Sequence, residues 1–175
     1  MNADEILHAD DVAGAATEDR VAAELARLSI EGVGVLRNRR MPRGAGIVDH
    51  LVVTPGAVWV VSTPGQSGRP QLRVEGRLAR HRVEKLTVGG CDQTQLLDEM
   101  QAQIDRVEMR FPELPVRGAL CFADADRTLF GGPFSVRGVD VVGPAKLAKL
   151  LLSTSAGSID VASTASLLGH AFPAA

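Results

Sequence analysis

The sequence predicts an α/β domain in which helices flank a mixed central β-sheet. Two segments, one near the amino terminus and one in the middle of the chain, carry apolar residues at helical spacing. Short apolar runs bounded by Pro and Gly turns lie between and after them, which is typical of β-strands. The second helix connects an early meander of strands to later strands, so we expect a sheet with both parallel and antiparallel pairs.

Length and composition indicate one globular domain. The chain has 175 residues, of which 45% are hydrophobic, and its formal net charge is −2. This length and hydrophobic content suffice for a core without disulfides or a structural metal. Its apolar runs are shorter than the roughly 20 residues of a transmembrane helix, and the acidic residues 1–5 do not resemble a signal peptide. Cys91 and Cys121 form no CxxC pair. We therefore expect a cytoplasmic protein with reduced thiols and no membrane partner.

In the first half of the chain, one helix precedes a series of strands. Val21, Leu25 and Leu28 share a helical face, which predicts a helix that begins at about residue 10 or 17 and ends at Leu28. The predicted strands that follow are 33–37, 46–53, 57–63, 71–75 and 78–83. The Pro55-Gly56 step between the second and third of these strands predicts a tight hairpin.

In the second half, a helix over 93–110 ends before Pro112. Strands are predicted over 116–123 and 139–142, a helix over 144–152, and a weak last helix over 158–168 with Gly169 as its C-cap. We divide the chain into a domain over 1–152, with residues 1–16 as an acidic extension, and an Ala/Ser-rich appendage over 153–175. No glycine-rich phosphate motif occurs, so a nucleotide cofactor is not predicted.

Although the net charge is near zero, acidic and basic residues are concentrated in different parts of the chain. Residues 1–31 contain eight acidic residues and two arginines, whereas residues 32–90 contain ten basic residues and three acidic ones. Nine of these ten bases are arginines, in two clusters: Arg37, Arg39, Arg40 and Arg43, and then Arg69, Arg73, Arg77, Arg80 and Arg82. Because arginine binds phosphate through two parallel donors, the segment could contact DNA or RNA. The alternative is that these arginines solvate and protect sheet edges.

Asp49 stands alone among apolar residues of a predicted strand. Alternation places it on one face with Ile47, Leu51 and Val53, and it turns His50 to the other face. A carboxylate on an apolar face is costly unless it is paired, hydrogen-bonded or bound to a metal. This strand is therefore a candidate site, although backbone amides or a nearby arginine could also satisfy an aspartate at a strand end.

The residues around this strand resemble the nuclease-related domain family of the PD-(D/E)xK restriction-endonuclease-like superfamily. The similar features are a helix that opens with Glu, a basic-Met-Pro step, the run Ile-x-Asp-His-Leu-Val-Val-x-Pro-Gly-x-x-x-Val, and a Gly after a short loop. The similarity extends over about residues 17–152. It implies a restriction-endonuclease-like fold with an αβββαβ core.

The resemblance assigns the family's site positions to residues of this chain. The helix Glu corresponds to Glu18, with Thr17 in place of the Gly that usually precedes it, and the strand Asp corresponds to Asp49. The Gln that opens the family's second helix corresponds to Gln95, with Gln93 as a rival. Glu18 and Asp49 are thereby the implied ligands for Mg²⁺, if the site functions.

The acid-x-Lys pair of the family falls on Ser62-Thr63-Pro64, so both functional side chains are absent. In the superfamily, two acids and a backbone carbonyl hold Mg²⁺, which activates the attacking water, and the Lys positions that water. Ser62 removes one anionic ligand from a cation that prefers charged oxygens, and Pro64 removes the cation. The resemblance therefore implies a nuclease fold with a degenerate active site.

Acidic and basic residues elsewhere in the sequence could still complete the active site in place of the missing acid and Lys. Glu75 or Glu84 could supply the acid and Arg69, Arg73 or Lys85 the cation, although no spacing singles out one of them. Asp124 and Asp126 follow a predicted strand and could bind a cation, but turn formation is the commoner use of such residues.

Three functions follow from these observations. The first is a binding module for nucleic acid or for a protein partner, built on a nuclease fold that has lost catalysis. The second is a divalent-metal-dependent nuclease whose catalytic groups have migrated in the sequence. The third is a purely structural or interaction protein, in which Glu18 and Asp49 make only internal hydrogen bonds.

Overall fold

The computed structural model describes residues 3–76, 83–127, 133–154 and 156–175, and it leaves out the side chains of residues 3–14. The helices are α1 (Ala3–Ile30), α2 (Gln95–Arg110), α3 (Pro144–Leu152) and α4 (Val161–Ala171). The strands are β1 (Gly34–Arg40), β2 (Ile47–Thr54), β3 (Ala57–Ser62), β4 (Pro70–Glu75), β5 (Val83–Val88), β6 (Cys91–Asp92), β7 (Val116–Cys121), β8 (Phe134–Val136) and β9 (Val139–Val142). Short 3₁₀ turns cover Pro42–Gly44 and Ala123–Arg127.

Six strands form the central sheet, in the order β1-β2-β3-β7-β9-β8. The first three strands pair antiparallel, and the predicted hairpin brings Thr54 opposite Ala57. After the crossover through α2, β7 pairs parallel with β3 and β9 pairs parallel with β7, whereas β8 is antiparallel to β9. This arrangement confirms the predicted mixed sheet flanked by helices, and the fold is restriction-endonuclease-like.

A smaller antiparallel sheet, in the order β4-β5-β6, lies beside the edge strand β8. Most of the strand predicted over 78–83 lies outside the described residues, and the strand found here, β5, begins where that prediction ends. The prediction did not include β6 and β8. These strands have two and three residues, which is too short for an alternating pattern to be visible in the sequence.

Two hydrophobic cores lie on the two faces of the central sheet. One packs beneath α1 and α3 and contains Val52 and Trp59. The other packs beneath α2 and α4 and contains Leu51 and Val60 from the same two strands. Leu51 and Val52 thus enter opposite cores, as do Trp59 and Val60, which agrees with strand alternation. Over the described ranges, no helix is both long enough and apolar enough to cross a bilayer.

The segment after residue 152 shares the core of the domain. Leu168 of α4 and the following Phe172 are buried beneath the central sheet. The buried Trp59 donates its indole N–H to Thr154 Oγ1 at 3.1 Å, and Arg40 N donates to Pro173 O at 2.9 Å. These contacts connect the segment after residue 152 to the central sheet.

Two helices differ from their predicted bounds. The first begins at Ala3, earlier than residue 10 or 17, because alanine and acidic residues favour the start of a helix even without an apolar face. The last covers Val161–Ala171, so Gly169 lies inside it and Phe172 is its C-cap, which corrects the predicted cap. α4 crosses β1 closely: a Cβ at Gly34 would lie 3.0 Å from Ala165 Cβ.

Candidate functional site

Asp49 lies on β2 directly across from the end of β3. The register pairs His50 with Val61, so the next position brings Asp49 opposite Ser62. Asp49 is half-buried, whereas Ile47 is exposed and Leu51 is completely buried in the core beneath α2. The carboxylate therefore stands at the margin of this core, where the strand emerges towards solvent.

Three donors converge on one oxygen of this carboxylate. Asp49 Oδ2 accepts from the Ser62 hydroxyl at 3.0 Å, from the Thr63 backbone N–H at 2.7 Å and from the Thr63 hydroxyl at 3.1 Å. A carboxylate oxygen has about two lone-pair sites, so these donors saturate Oδ2. The cost of placing an aspartate beside an apolar core is thus offset by hydrogen bonds within the protein.

The donor set around Asp49 does not fit a Mg²⁺ site. Mg²⁺ requires octahedral oxygen ligands and is commonly held through one or two carboxylates, whereas Ser62 and Thr63 turn hydroxyl and amide donors toward the carboxylate. Among the described residues, no three His, Cys, Asp or Glu side chains lie together so that they could hold a metal ion. Pro64 follows Thr63 and lines a cleft with Thr17 and Arg20 of α1, without contributing a charge.

The other predicted site residues do not join Asp49. Glu18 is half-buried on α1 and makes no hydrogen bond or ion pair within the described part of the chain, whereas its neighbour Thr17 is buried. Gln95 is exposed at the first position of α2. The glutamine of α2 that contacts β2 is Gln103, which donates from Nε2 to Ile47 O at 3.3 Å. A polar residue on the apolar face of the predicted helix was the sequence signal for Gln103.

His50 is completely buried on the strand beside Asp49. Neither ring nitrogen has a hydrogen-bond partner. The pKa of His50 is lowered from 6.5 to about 4, mainly because the ring is buried. The attraction of the Asp49 carboxylate raises this pKa, and the repulsion from Arg37 lowers it further. The imidazole is therefore neutral at physiological pH.

Asp124 and Asp126 organise the turn after β7. Asp124 Oδ2 accepts from Gly68 N at 2.8 Å, and Asp126 Oδ2 accepts from Ala145 N at 2.9 Å. Asp126 also lies 3.6 Å from an Arg20 guanidinium nitrogen. The two carboxylates thereby connect the turn to the loop before β4, to the start of α3 and to α1, which is the structural use of such residues.

Four of the five groups that could have migrated, all except Arg69, have partners away from Asp49. Glu75 lies 2.8 Å from the Lys85 ammonium and 3.4 Å from Arg73 Nε. The Lys85 hydrogen bond lowers the pKa of Glu75, and the same bond raises the pKa of Lys85. Glu84 accepts from Arg137 N at 2.8 Å. These contacts hold the candidate groups on β4 and β5 and supply no second carboxylate to Asp49.

The arginines of the two clusters that lie within the described residues are not brought together. Arg37, Arg39 and Arg40 lie on β1, and Arg43 lies in the turn after it, at one edge of the central sheet. Arg69 and Arg73 lie just before and on β4, which contacts β8 at the other edge. Five strand spacings of about 4.8 Å separate these edges, or roughly 24 Å. Arg77, Arg80 and Arg82 lie outside the described residues.

The fold and the position of Asp49 define a restriction-endonuclease-like domain. The family model described as nuclease-related domain (NERD) matches residues 13–123, a span that includes Glu18, Asp49, Ser62, Pro64 and Gln95. The chain belongs to the nuclease-related domain family. A search of curated proteins and a search of solved structures each gave no significant match.

Proposed function

We propose that this chain is a nuclease-related domain that no longer hydrolyses nucleic acid and instead binds it. The observation that carries the proposal is the hydrogen bonding of Asp49, whose Oδ2 accepts from Ser62 and Thr63 at the position where the family has its acid-x-Lys pair. A hydroxyl donor in place of the second carboxylate would remove one metal ligand, and it engages Oδ2 of the remaining carboxylate. In the superfamily, two carboxylates hold the metal ion that activates the attacking water.

The arginines of the β1 edge are the proposed contact with the nucleic acid. Arg37, Arg40 and Arg43 are exposed, and none of them forms an ion pair with a described residue. Arg37 pairs with His50 and Arg40 with Ile47, so the two arginines leave opposite faces of this edge strand, roughly 10 Å apart along it. A nucleic-acid backbone that runs along the edge can contact both, because roughly 10 Å corresponds to about three phosphates of one strand along a duplex axis. Unpaired arginines at this spacing can each bind a phosphate without first breaking an internal ion pair.

The tests described below also distinguish this proposal from two other functions. A nuclease with migrated groups requires a further carboxylate near Asp49, but Glu75 and Glu84 are held by other partners. A protein-binding or purely structural domain would not need the exposed arginines of β1 to contact phosphate.

The first test is a cleavage assay of supercoiled plasmid with Mg²⁺ or Mn²⁺, in which the wild-type chain is compared with Asp49→Ala and with a metal-free reaction. We expect the plasmid to remain supercoiled in all three. Metal-dependent nicking that disappears in Asp49→Ala would show that catalysis is retained and would overturn the loss of hydrolysis.

The second test is a mobility-shift titration of duplex DNA and of single-stranded RNA of equal length. We expect a shift that weakens with salt and that the triple variant Arg37→Gln/Arg40→Gln/Arg43→Gln loses. A wild-type chain that shifts neither ligand would refute the nucleic-acid contact and would direct attention to a protein partner.

A further inference from the structure

Apart from the cleft beside Pro64, a second cavity lies where the smaller sheet meets the far edge of the central sheet. It has a volume of about 410 Å³ and opens between β4, β8 and β9, beside the start of α3. Small-molecule sites commonly have volumes of about 300–1,000 Å³. The cavity also lies at the carboxyl end of β9, and ligands of open α/β sheets bind outside the carboxyl ends of parallel strands.

Apolar side chains form part of the walls of this cavity, beside polar surface of similar extent. Pro70 and Leu72 come from β4, whereas Phe134 and Val141 come from β8 and β9. Val141 is completely buried, but Leu72 remains 41% exposed at the rim. A flat apolar group that entered the cavity would cover Leu72 and contact Phe134, and burial of this surface would favour binding.

Two cationic side chains line the same cavity from opposite sides. Arg69 precedes β4, and Lys146 lies in the first turn of α3. The guanidinium of Arg69 makes no hydrogen bond or ion pair with a described residue. Among the described residues that line the cavity there is no acidic side chain, so an anion can approach Arg69.

The backbone on either side of Arg69 is fixed. Gly68 N donates to Asp124 Oδ2 at 2.8 Å, and Gly89 N donates to Arg69 O at 3.2 Å. Gly68 has a φ of +115°, and a Cβ at this position would lie 2.7 Å from Gly89 Cα. The loop is therefore built so that only glycine fits beside Arg69, and a fixed backbone reduces the entropy lost when the arginine binds an anion.

We infer that this cavity binds a small organic anion, with a flat apolar body against Leu72 and Phe134 and a phosphate or carboxylate on Arg69 and Lys146. The planar fork of Arg69 suits either anion through two parallel hydrogen bonds. The site is independent of Asp49 and of the β1 arginines, so it does not depend on the function proposed above.

The experiment is a titration of the full chain followed by two-dimensional ¹H–¹⁵N NMR, with phenyl phosphate and AMP as probes. Phenol and adenosine are the matched probes without the phosphate, and inorganic phosphate is the probe without the ring. We expect saturable shifts around Leu72, Phe134 and Lys146 with at least one ester, and at least roughly tenfold weaker binding of each matched probe, because two charge-assisted contacts are lost.

Two variants test the assignment to this cavity. Arg69→Gln is expected to weaken binding by roughly tenfold or more, whereas Arg43→Gln, at the other edge of the sheet, leaves it unchanged. Leu72→Asp places a carboxylate at the rim and is expected to abolish binding while thermal unfolding remains close to that of the wild type. Absence of saturable binding with both esters, or binding that Arg69→Gln does not change, would refute the inference.

Discussion

Ser62 faces Asp49 across the β2–β3 pair and donates its hydroxyl to the Asp49 carboxylate at 3.0 Å. The family resemblance predicts that this serine corresponds to an acid, and such an exchange would change the electrostatic character of the site. Two facing carboxylates repel each other until a cation binds between them. A serine facing an aspartate is stable without a cation, so the hydrogen bond can serve the fold instead of the chemistry.

The first prediction concerns the contribution of this bond network to stability. Asp49→Ala removes the acceptor of three hydrogen bonds and leaves the Thr63 N–H, at 2.7 Å from Oδ2 in the wild type, without its partner. We expect a loss of about 1–3 kcal/mol in the free energy of unfolding, measured by urea denaturation. Asp19→Ala, at an exposed position of α1, is the control and is expected to change stability by less than about 0.5 kcal/mol.

The second prediction concerns Ser62→Glu, which introduces an acid at the position where the family resemblance implies one. Ser62→Glu places a second carboxylate beside Asp49, so we expect lower stability without metal because like charges now face each other across two strands. Added Mn²⁺ or Mg²⁺ should raise the melting temperature of this variant, because a ligand that binds only the folded state stabilises it. The wild type and Ser166→Glu, an exposed position of α4, should show no such rise. A metal-dependent rise in the wild type would contradict our interpretation of the site.

The sequence was sufficient to predict the family, the mixed sheet and the position of Asp49, because strand alternation and the tight hairpin are local patterns. It could not predict that the β1 arginines and the pair Arg69 and Arg73 lie at opposite edges of the sheet, because the order of strands depends on crossovers between distant segments. The contact of Gln103 with Ile47 depends in the same way on how α2 crosses the sheet. Gly169 was misread as a helix end because a glycine inside a helix is uncommon, and here it lies where α4 packs on β1.

The third prediction is a pH dependence of stability that arises from His50. Its pKa is about 4 in the folded chain and about 6.5 when the chain is unfolded. The unfolded state therefore binds a proton first, and stability is lost as the pH falls from about 6.5 to about 4, by roughly 3 kcal/mol in all.

His50→Leu removes the titrating group, so its stability should fall less over this pH interval, as measured by urea denaturation at a series of pH values. At neutral pH we expect stability close to that of the wild type, because neither ring nitrogen of His50 makes a hydrogen bond. The control is His170→Leu, at an exposed position of α4. An unchanged pH profile for His50→Leu would show that His50 is not the group responsible.

The fourth prediction compares two glycines. A Cβ at Gly56, in the β2–β3 turn, would lie 1.8 Å from Thr154 O, so the turn and the segment before α4 could not both keep their positions. We expect Gly56→Ala to destabilise the chain by about 1–3 kcal/mol or more. Gly169→Ala, inside α4, has its nearest neighbour at 3.8 Å, so it should stabilise the helix by about 0.5–1 kcal/mol. Thermal unfolding measures both changes.

The fifth prediction concerns the salt dependence of nucleic-acid binding. Each phosphate contact that a protein makes with duplex DNA contributes about −0.9 to the slope of log K against log salt concentration. If Arg37, Arg40 and Arg43 each bind one phosphate, the triple glutamine variant should have a slope that is shallower by about 2.7. Fluorescence anisotropy over a range of salt concentrations measures the slopes of both proteins.

The matched control is Arg69→Gln/Arg73→Gln, which removes two arginines at the other edge of the sheet. Because roughly 24 Å separates the two edges, we expect this control to keep the wild-type slope. If the slope becomes shallower by the same amount in both variants, the chain binds DNA through its overall charge distribution and not through the β1 edge. A slope that falls only in the control would move the contact to β4, where Arg69 also lines the second cavity.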